Sequence, residues 1–214
     1  MDLEQKAVMK ALAFSFLGAI LPITGCAGGV DEEPQGNVQT AREVCGGLSK
    51  SAADTLKTIA GTDSFTSEPS QDSPALPSGL TEEVEKGNGD DEHVLCSIEP
   101  EKVKNEQRIR VYAKVLAELP GAPDERLRGN TPFKVGLRGE ASALGAQLYF
   151  KCARGNADPT HAPVIKADFR YAPASRGEVS YQGNMQLLNE VSYRLAQQLS
   201  CLPSSQLSMK QVTE

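Results

Sequence analysis

Two runs near the middle of the second half alternate strictly. Ala146, Leu148, Phe150 and Cys152 occupy every second position, and after the polar stretch ARGNADPTHAP the residues Ile165, Ala167, Phe169 and Tyr171 alternate with Lys166, Asp168 and Arg170. A period of two sends successive side chains to opposite faces, so each run predicts a strand with one buried face, and the pair predicts a hairpin. The arrangement occurs once before: Val94, Cys96 and Ile98 alternate, a polar turn follows at 99–106, and Ile109, Val111, Ala113 and Val115 alternate with Arg108, Arg110, Tyr112 and Lys114. Phe133 to Leu137, before Gly139, predicts a further strand.

Elsewhere the period lengthens. Ala41, Cys45, Leu48, Ala52, Leu56 and Ile59 recur at helical spacing up to Gly61, which predicts an amphipathic helix over 41–60 with Cys45 facing inward. From Asn184 a second stripe of Leu187, Leu188, Val191, Leu195 and Leu199 runs to Leu202-Pro203, with Cys201 beside it. Residues 62–92 are crowded with Ser, Pro, Gly and acids and predict a long polar loop. Helix, hairpin, strand, hairpin and helix, each with one apolar face, predict an α+β domain over 41–202: an antiparallel sheet with two helices packed on one face. Residues 203–214 read as a C-terminal tail.

The opening MDLEQKAVMK carries Lys6 and Lys10 and leads into ALAFSFLGAILPIT, an uncharged apolar run of about fourteen residues that ends at Gly25-Cys26. A spanning helix needs roughly 20 apolar residues, so residues 1–25 read as a signal peptide. Residues 26–40 show no apolar period and read as a flexible tether with a reach on the order of 20 Å.

Without Cys26, an even set of cysteines remains: Cys45, Cys96, Cys152 and Cys201. In an exported chain this predicts two disulfides, whereas a metal site would want closer spacing such as C-x2-C. The nearly equal separations suggest two similar units bridged Cys45–Cys96 and Cys152–Cys201. A nested pairing, Cys45–Cys201 with Cys96–Cys152, is the alternative. A core with 5% aromatic residues and no Trp needs such staples. The net charge of −6, with no window of clustered Lys and Arg, argues against a nucleic-acid partner.

Candidate chemistry is sparse. No G-x-S-x-G, H-E-x-x-H, phosphate loop or dinucleotide fingerprint occurs. His93 ends the run Asp90-Asp91-Glu92-His93, which has the groups to chelate a divalent ion but reads more simply as a solvated turn. His161 stands in a hairpin turn between Pro159 and Pro163, where an exposed histidine is ordinary. Neither is expected to be catalytic, and no metal or cofactor is expected. Arg108, Arg110 and Lys114 with Tyr112 make a basic strand face, a candidate anion-binding surface that Lys166 and Arg170 extend if the hairpins are neighbours. The simpler reading is a solvated outer sheet face balanced by nearby acids. Tyr149, Tyr181 and Tyr193 are placed like interface or core-edge residues.

Ile23-Thr24-Gly25-Cys26 resembles the lipobox of bacterial lipoproteins. Together with V-C-G-G-L-S-x-x-A-A-x-x-L at Val44 to Leu56, G-A-Q-L-Y-F-K-C at Gly145 to Cys152 and a closing helix ending in Cys201, it resembles small exported lipoproteins of actinomycete bacteria, largely of unknown function. The resemblance implies cleavage before Cys26, a diacylglyceryl group on its thiol and an anchored position on the extracytoplasmic face of the cell membrane, and it carries over no catalytic residues. Two classes of function follow: a non-enzymatic module that binds a small ligand, a lipid or an envelope protein, or an envelope enzyme such as a hydrolase with a non-contiguous active site. A pocket holding a shifted carboxylate, or His161 beside a hydroxyl, would point to the second.

Overall fold

The alternating runs become the centre of an eight-stranded antiparallel sheet. The computed structural model describes residues 38–66, 76–101, 108–121, 130–155, 157–171 and 180–214. The signal-like run, the lipobox with Cys26 and most of the tether lie outside the described residues. The strands are β1 (Val38–Thr40), β2 (Ser64–Thr66), β3 (His93–Pro100), β4 (Ile109–Leu116), β5 (Thr131–Phe133), β6 (Arg138–Ser142), β7 (Gly145–Lys151) and β8 (Val164–Arg170), in the order β1-β2-β3-β4-β8-β7-β6-β5. The two expected hairpins are β3–β4 and β7–β8. They join edge to edge through β4 and β8, in register from Arg110 opposite Arg170 to Leu116 opposite Val164.

On β4 the alternation is complete: Ile109, Val111, Ala113 and Val115 are buried while Arg110, Tyr112 and Lys114 look outward. On β3 it breaks. The register shifts between Val94 and Cys96, a bulge that puts Val94 opposite Tyr112 on the outer face, 45% exposed, while Cys96 and Ile98 stay in the core. One extra residue reverses the parity of everything on its far side, which is why Val94 does not share the face of Cys96 that simple alternation assigns it.

Helices α1 (Lys50–Ala60) and α3 (Tyr181–Gln198) cover the core face; α1 packs along α3, and α3 lies over β6, β7 and β8. Helix α1 starts later than its apolar spacing predicts. Ser49 is its N-cap, accepting from the Ala52 N–H, and Cys45 sits upstream in a short 3-10 turn (Val44–Gly46). The cause is local: Cys45, Gly46 and Gly47 run consecutively through positive φ (54°, 78° and 93°), a path that two glycines permit and a continuous helix forbids. Ala41, Val44 and Leu48 are buried all the same, so the turn keeps the apolar spacing without the helix.

Three further segments differ from expectation. The 62–92 stretch, read as a loop, contains β2 and a third helix, α2 (Leu80–Lys86), held to the core by Leu80 and Val84 and flanked by left-handed Gly79 and Gly87. The strand expected at 133–137 ends at Phe133, the last residue of β5, and 134–137 form the turn joining β5 to β6. There Gly136, at φ 58°, passes so close to the Tyr149 carbonyl that a Cβ would lie 2.4 Å from it. The C-terminal stretch read as a tail is folded: α4 (Leu202–Ser205) follows α3, Leu207 and Val212 are buried, and the Val212 N–H donates to Gln186 Oε1 at 2.9 Å. The sheet therefore carries more than the two expected helices.

The disulfides join Cys45 to Cys96 and Cys152 to Cys201, one within each half. The first ties the turn before α1 to β3, and the second ties the end of β7 to the end of α3. Closing loops of 51 and 49 residues removes about 4 kcal/mol each of chain entropy from the unfolded state in the loop-closure model.

Helix α3 is enclosed on nearly every side, and its polar residues are buried with it: Asn184, Gln186, Asn189, Glu190 and Ser192. All but Ser192 dock something. Asn184 Nδ2 donates to the Ser142 carbonyl at 2.8 Å and Asn189 Nδ2 to the Ser208 carbonyl at 2.8 Å. Glu190 accepts from the Ser49 N–H at 2.8 Å, from Ser49 Oγ and from Gln186 Nε2 at 2.9 Å. Its carboxylate thus sits at the N-terminus of α1, where free N–H groups and the helix dipole favour negative charge. Substitution Glu190→Ala strips three donors of their acceptor inside the protein and is expected to cost about 3 kcal/mol, read as a lowered urea midpoint with an unchanged denaturant slope.

Candidate functional site

Because β4 and β8 are neighbours, the basic residues of both hairpins meet on the outer face. Arg110 lies opposite Arg170 and Lys114 opposite Lys166, with Tyr112 and Asp168 between them. Like charges directly across a ladder repel, and the sheet resolves this from within. Asp168, only 3% exposed, takes Lys166 Nζ at 2.9 Å and Arg170 Nη2 at 2.6 Å on one oxygen. Arg170 reaches on to Glu92 at 2.7 Å and lies over the Tyr112 ring, 5.0 Å from its centroid. Arg110 donates to Tyr112 Oη at 3.3 Å, Lys114 to the Asp90 carbonyl at 2.8 Å, and Arg108 pairs with Glu99 at 2.6 Å. The face continues onto β6 and β7, where Arg138 lies 4.5 Å from the centre of the Tyr149 ring and Glu140 accepts from Asn130 Nδ2 at 2.9 Å. The predicted basic residues are brought together, but into a lattice of ion pairs and cation–π contacts whose acids are Asp168 of β8 itself, Glu99 of β3 and Glu92 of the turn before it. The charges are balanced, but the face is not the solvated one expected over β6, β7 and β8, where Glu140, Gln147, Tyr149 and Asp168 are buried.

The run Asp90-Asp91-Glu92-His93 does not converge. Glu92 turns to Arg170, and His93 Nε2 meets Glu83 of α2 at 3.0 Å with both side chains largely buried. Among the described residues, no group of three or more His, Cys, Asp and Glu is placed to hold a metal ion, and no helix is long and apolar enough to cross a membrane.

A cleft of about 450 Å³ opens between the last turn of α2 (Val84 to Gly87) and the loop from Cys152 to Pro163. Sequence reasoning missed it, because it exists only where two segments read as loops face one another. Cys152, Ala153 and Ala162 are buried in its wall, and the Cys152–Cys201 bridge braces that wall from behind. Arg154 spans the opening: Nη1 meets Glu85 of α2, and Nε donates to the Leu199 carbonyl at 3.2 Å. The charged rim is thus paired across the gap, above a wall of small apolar side chains.

His161 lies on this rim beside both a hydroxyl and a shifted carboxylate, the combination that would mark a hydrolase. The geometry differs from a relay. Such a relay puts the carboxylate on one ring nitrogen and the hydroxyl on the other. Here Nδ1 meets both, Asp158 Oδ2 at 3.1 Å and Thr160 Oγ1 at 3.0 Å. Asp158 also accepts from the Thr160 N–H at 2.8 Å. Backbone and side-chain hydrogen bonds from Thr160, then the contact with His161, hold its carboxyl down to about 2 from an ordinary 3.8. With carboxylate and hydroxyl on the same ring nitrogen, these three residues cap a turn.

A depressed folded-state pKa gives stability that is complete above the unfolded value and lost as pH falls through the folded one. The 158–161 turn is therefore expected to stay closed down to pH 3.8 and to open as pH falls to about 2, read as loss of protection of the Thr160 amide in hydrogen exchange; Asp158→Ala should open it at neutral pH. Compared with protein-family models, curated proteins and solved structures, the chain matches none.

Proposed function

We propose that the chain is an exported, lipid-anchored module of the cell envelope, on the extracytoplasmic face of its membrane, that binds a small ligand in the cleft between α2 and the 152–163 loop. The observation that carries this reading is the cleft wall itself, which contains half of a buried disulfide. A structural disulfide forms and persists in an oxidising compartment, and this one stiffens one side of a concavity in the size range of small-molecule sites. Address and binding surface are thereby linked through Cys152.

The anchor rests on the N-terminal run and on Ile23-Thr24-Gly25-Cys26, with a lipid on the Cys26 thiol and, since 38–40 form β1, residues 26–37 as the tether. The membrane is a partner only through that lipid; two or more acyl chains hold durably where one is marginal. Binding rather than turnover is favoured because the polar groups on the rim are spent in pairs, Arg154 with Glu85 and His161 with Asp158. Exposed pairs of this kind contribute little to stability, so a ligand carrying one charge displaces one partner at small cost.

Two measurements test the reading separately. Unreduced peptide mass spectrometry of the protein from its native membrane is expected to find a mature N-terminus at a diacylated Cys26; a chain that keeps an unmodified Met1 sinks the anchor. Pools of small envelope metabolites are expected to raise the melting temperature of the wild-type protein, since a ligand at 100 times its Kd adds about 2.7 kcal/mol. Ala157→Trp, an exposed position in the cleft lining, should abolish the shift without lowering the unliganded melting temperature. A shift that survives this substitution places the ligand elsewhere.

A further inference from the structure

The two bridges sit differently. Cys152 and Cys201 are 1% and 0% exposed, and Cys96 is 3% exposed, whereas Cys45 is only half-buried. Beside Cys45 lies a recess of about 20 Å³ lined also by Leu95, Val191, Arg194 and Gln198, room on the order of one small solvent molecule. Arg194 of α3 belongs to this corner, since its Nη1 donates to the Gly46 carbonyl. A fixed cation therefore lines the same recess as Cys45, the one disulfide cysteine among the described residues that is not fully buried. The backbone adds a third feature. Cys45 holds φ at 54°, a conformation that side-chain-bearing residues rarely adopt, followed by two glycines also at positive φ. The bridge is one of the restraints that keep it there.

We propose that Cys45 is a thiol–disulfide exchange site that accepts a small, carboxylate-bearing thiol as a mixed disulfide. The proposal is independent of the cleft and of its ligand. In the exchange the incoming thiolate forms a bond to Cys45 Sγ, the Cys45–Cys96 bond breaks, and its electron pair leaves on Cys96 Sγ, which takes up a proton from solvent. One disulfide and one thiol become another disulfide and another thiol, with no net oxidation. The thiolate is the attacking species, and the guanidinium of Arg194 attracts both its charge and the carboxylate that accompanies it. Once the bond opens, the turn of Cys45, Gly46 and Gly47 is free to relax, which opposes reclosure.

The experiment treats the full, oxidised chain with reduced glutathione and, separately, with neutral 2-mercaptoethanol, quenches in acid, alkylates, and reads the cysteine peptides by mass spectrometry. Glutathione is expected on Cys45, with Cys96 alkylated, at a rate at least about tenfold above opening of Cys152–Cys201. Arg194→Gln, with its fold checked by circular dichroism, is expected to slow the glutathione reaction about tenfold and the mercaptoethanol reaction distinctly less. Glutathione found first on Cys96, or both bridges opening at one rate, overturns the site in the wild-type protein alone. An Arg194→Gln protein that reacts with glutathione as fast as wild type, or is slowed equally with both reagents, overturns the carboxylate contact.

Discussion

The structure turns on the seam between β4 and β8. Everything on either side of it is local: β3–β4 and β7–β8 are hairpins, and each half carries its own bridge. The seam alone joins them into one sheet, and its two faces impose opposite demands. On the core face Ala113 meets Ala167, and Val111 meets Phe169. On the outer face the same register sets Arg110 against Arg170 and Lys114 against Lys166. A slip of one residue would exchange the faces. The register is thus fixed by burial on one side and by Asp168 on the other, the only carboxylate on β4 or β8 and the one that accepts from both Lys166 and Arg170.

Helix α3 supplies what a core without Trp lacks in bulk. Its apolar residues fill the space over β6, β7 and β8, while its buried amides and carboxylate together hold three elements: the N-terminus of α1, the end of β6 and the C-terminal stretch. A buried polar group is costly unless satisfied, so each bond specifies one docking geometry and disfavours its neighbours. The C-terminal residues show the result. Few of them are apolar, yet Val212 is gripped through both backbone groups, its N–H by Gln186 and its carbonyl by Gln182.

This division explains what the sequence reveals and what it hides. The hairpins, α3 and the antiparallel α+β class are legible because strands and a helix with one buried face leave a period. β6 leaves none: Arg138-Gly139-Glu140-Ala141-Ser142 is buried on both sides through small residues and a paired Glu140, so its position is set by its neighbours. The late start of α1 is hidden because the turn at Val44 to Gly46 preserves helical spacing, although Gly46-Gly47 is the visible sign of a break. Leu80 and Val84, one helical turn apart in a polar stretch, are the signal for α2 that composition outweighs. The basic outer face is legible from alternation, and so is Asp168 within it, but the counter-charge from Glu92 is not, because it reaches Arg170 from 78 residues away. The cleft depends on α2 facing the 152–163 loop, a contact that no local pattern encodes.

The same logic separates the roles of the two bridges. A cross-link deep in a core acts on the unfolded chain and on the stiffness of what packs around it, and Cys152–Cys201, fully enclosed, is placed for that alone; it fixes the loop that walls the cleft against the end of α3. Cys45–Cys96 closes a loop of nearly the same length and carries nearly the same entropic benefit, yet one of its cysteines is only half-buried, on a turn that its own backbone disfavours. Equal staples in unequal surroundings differ in how easily they are opened. The stability of the fold is therefore shared between halves, while chemical accessibility is concentrated in the first.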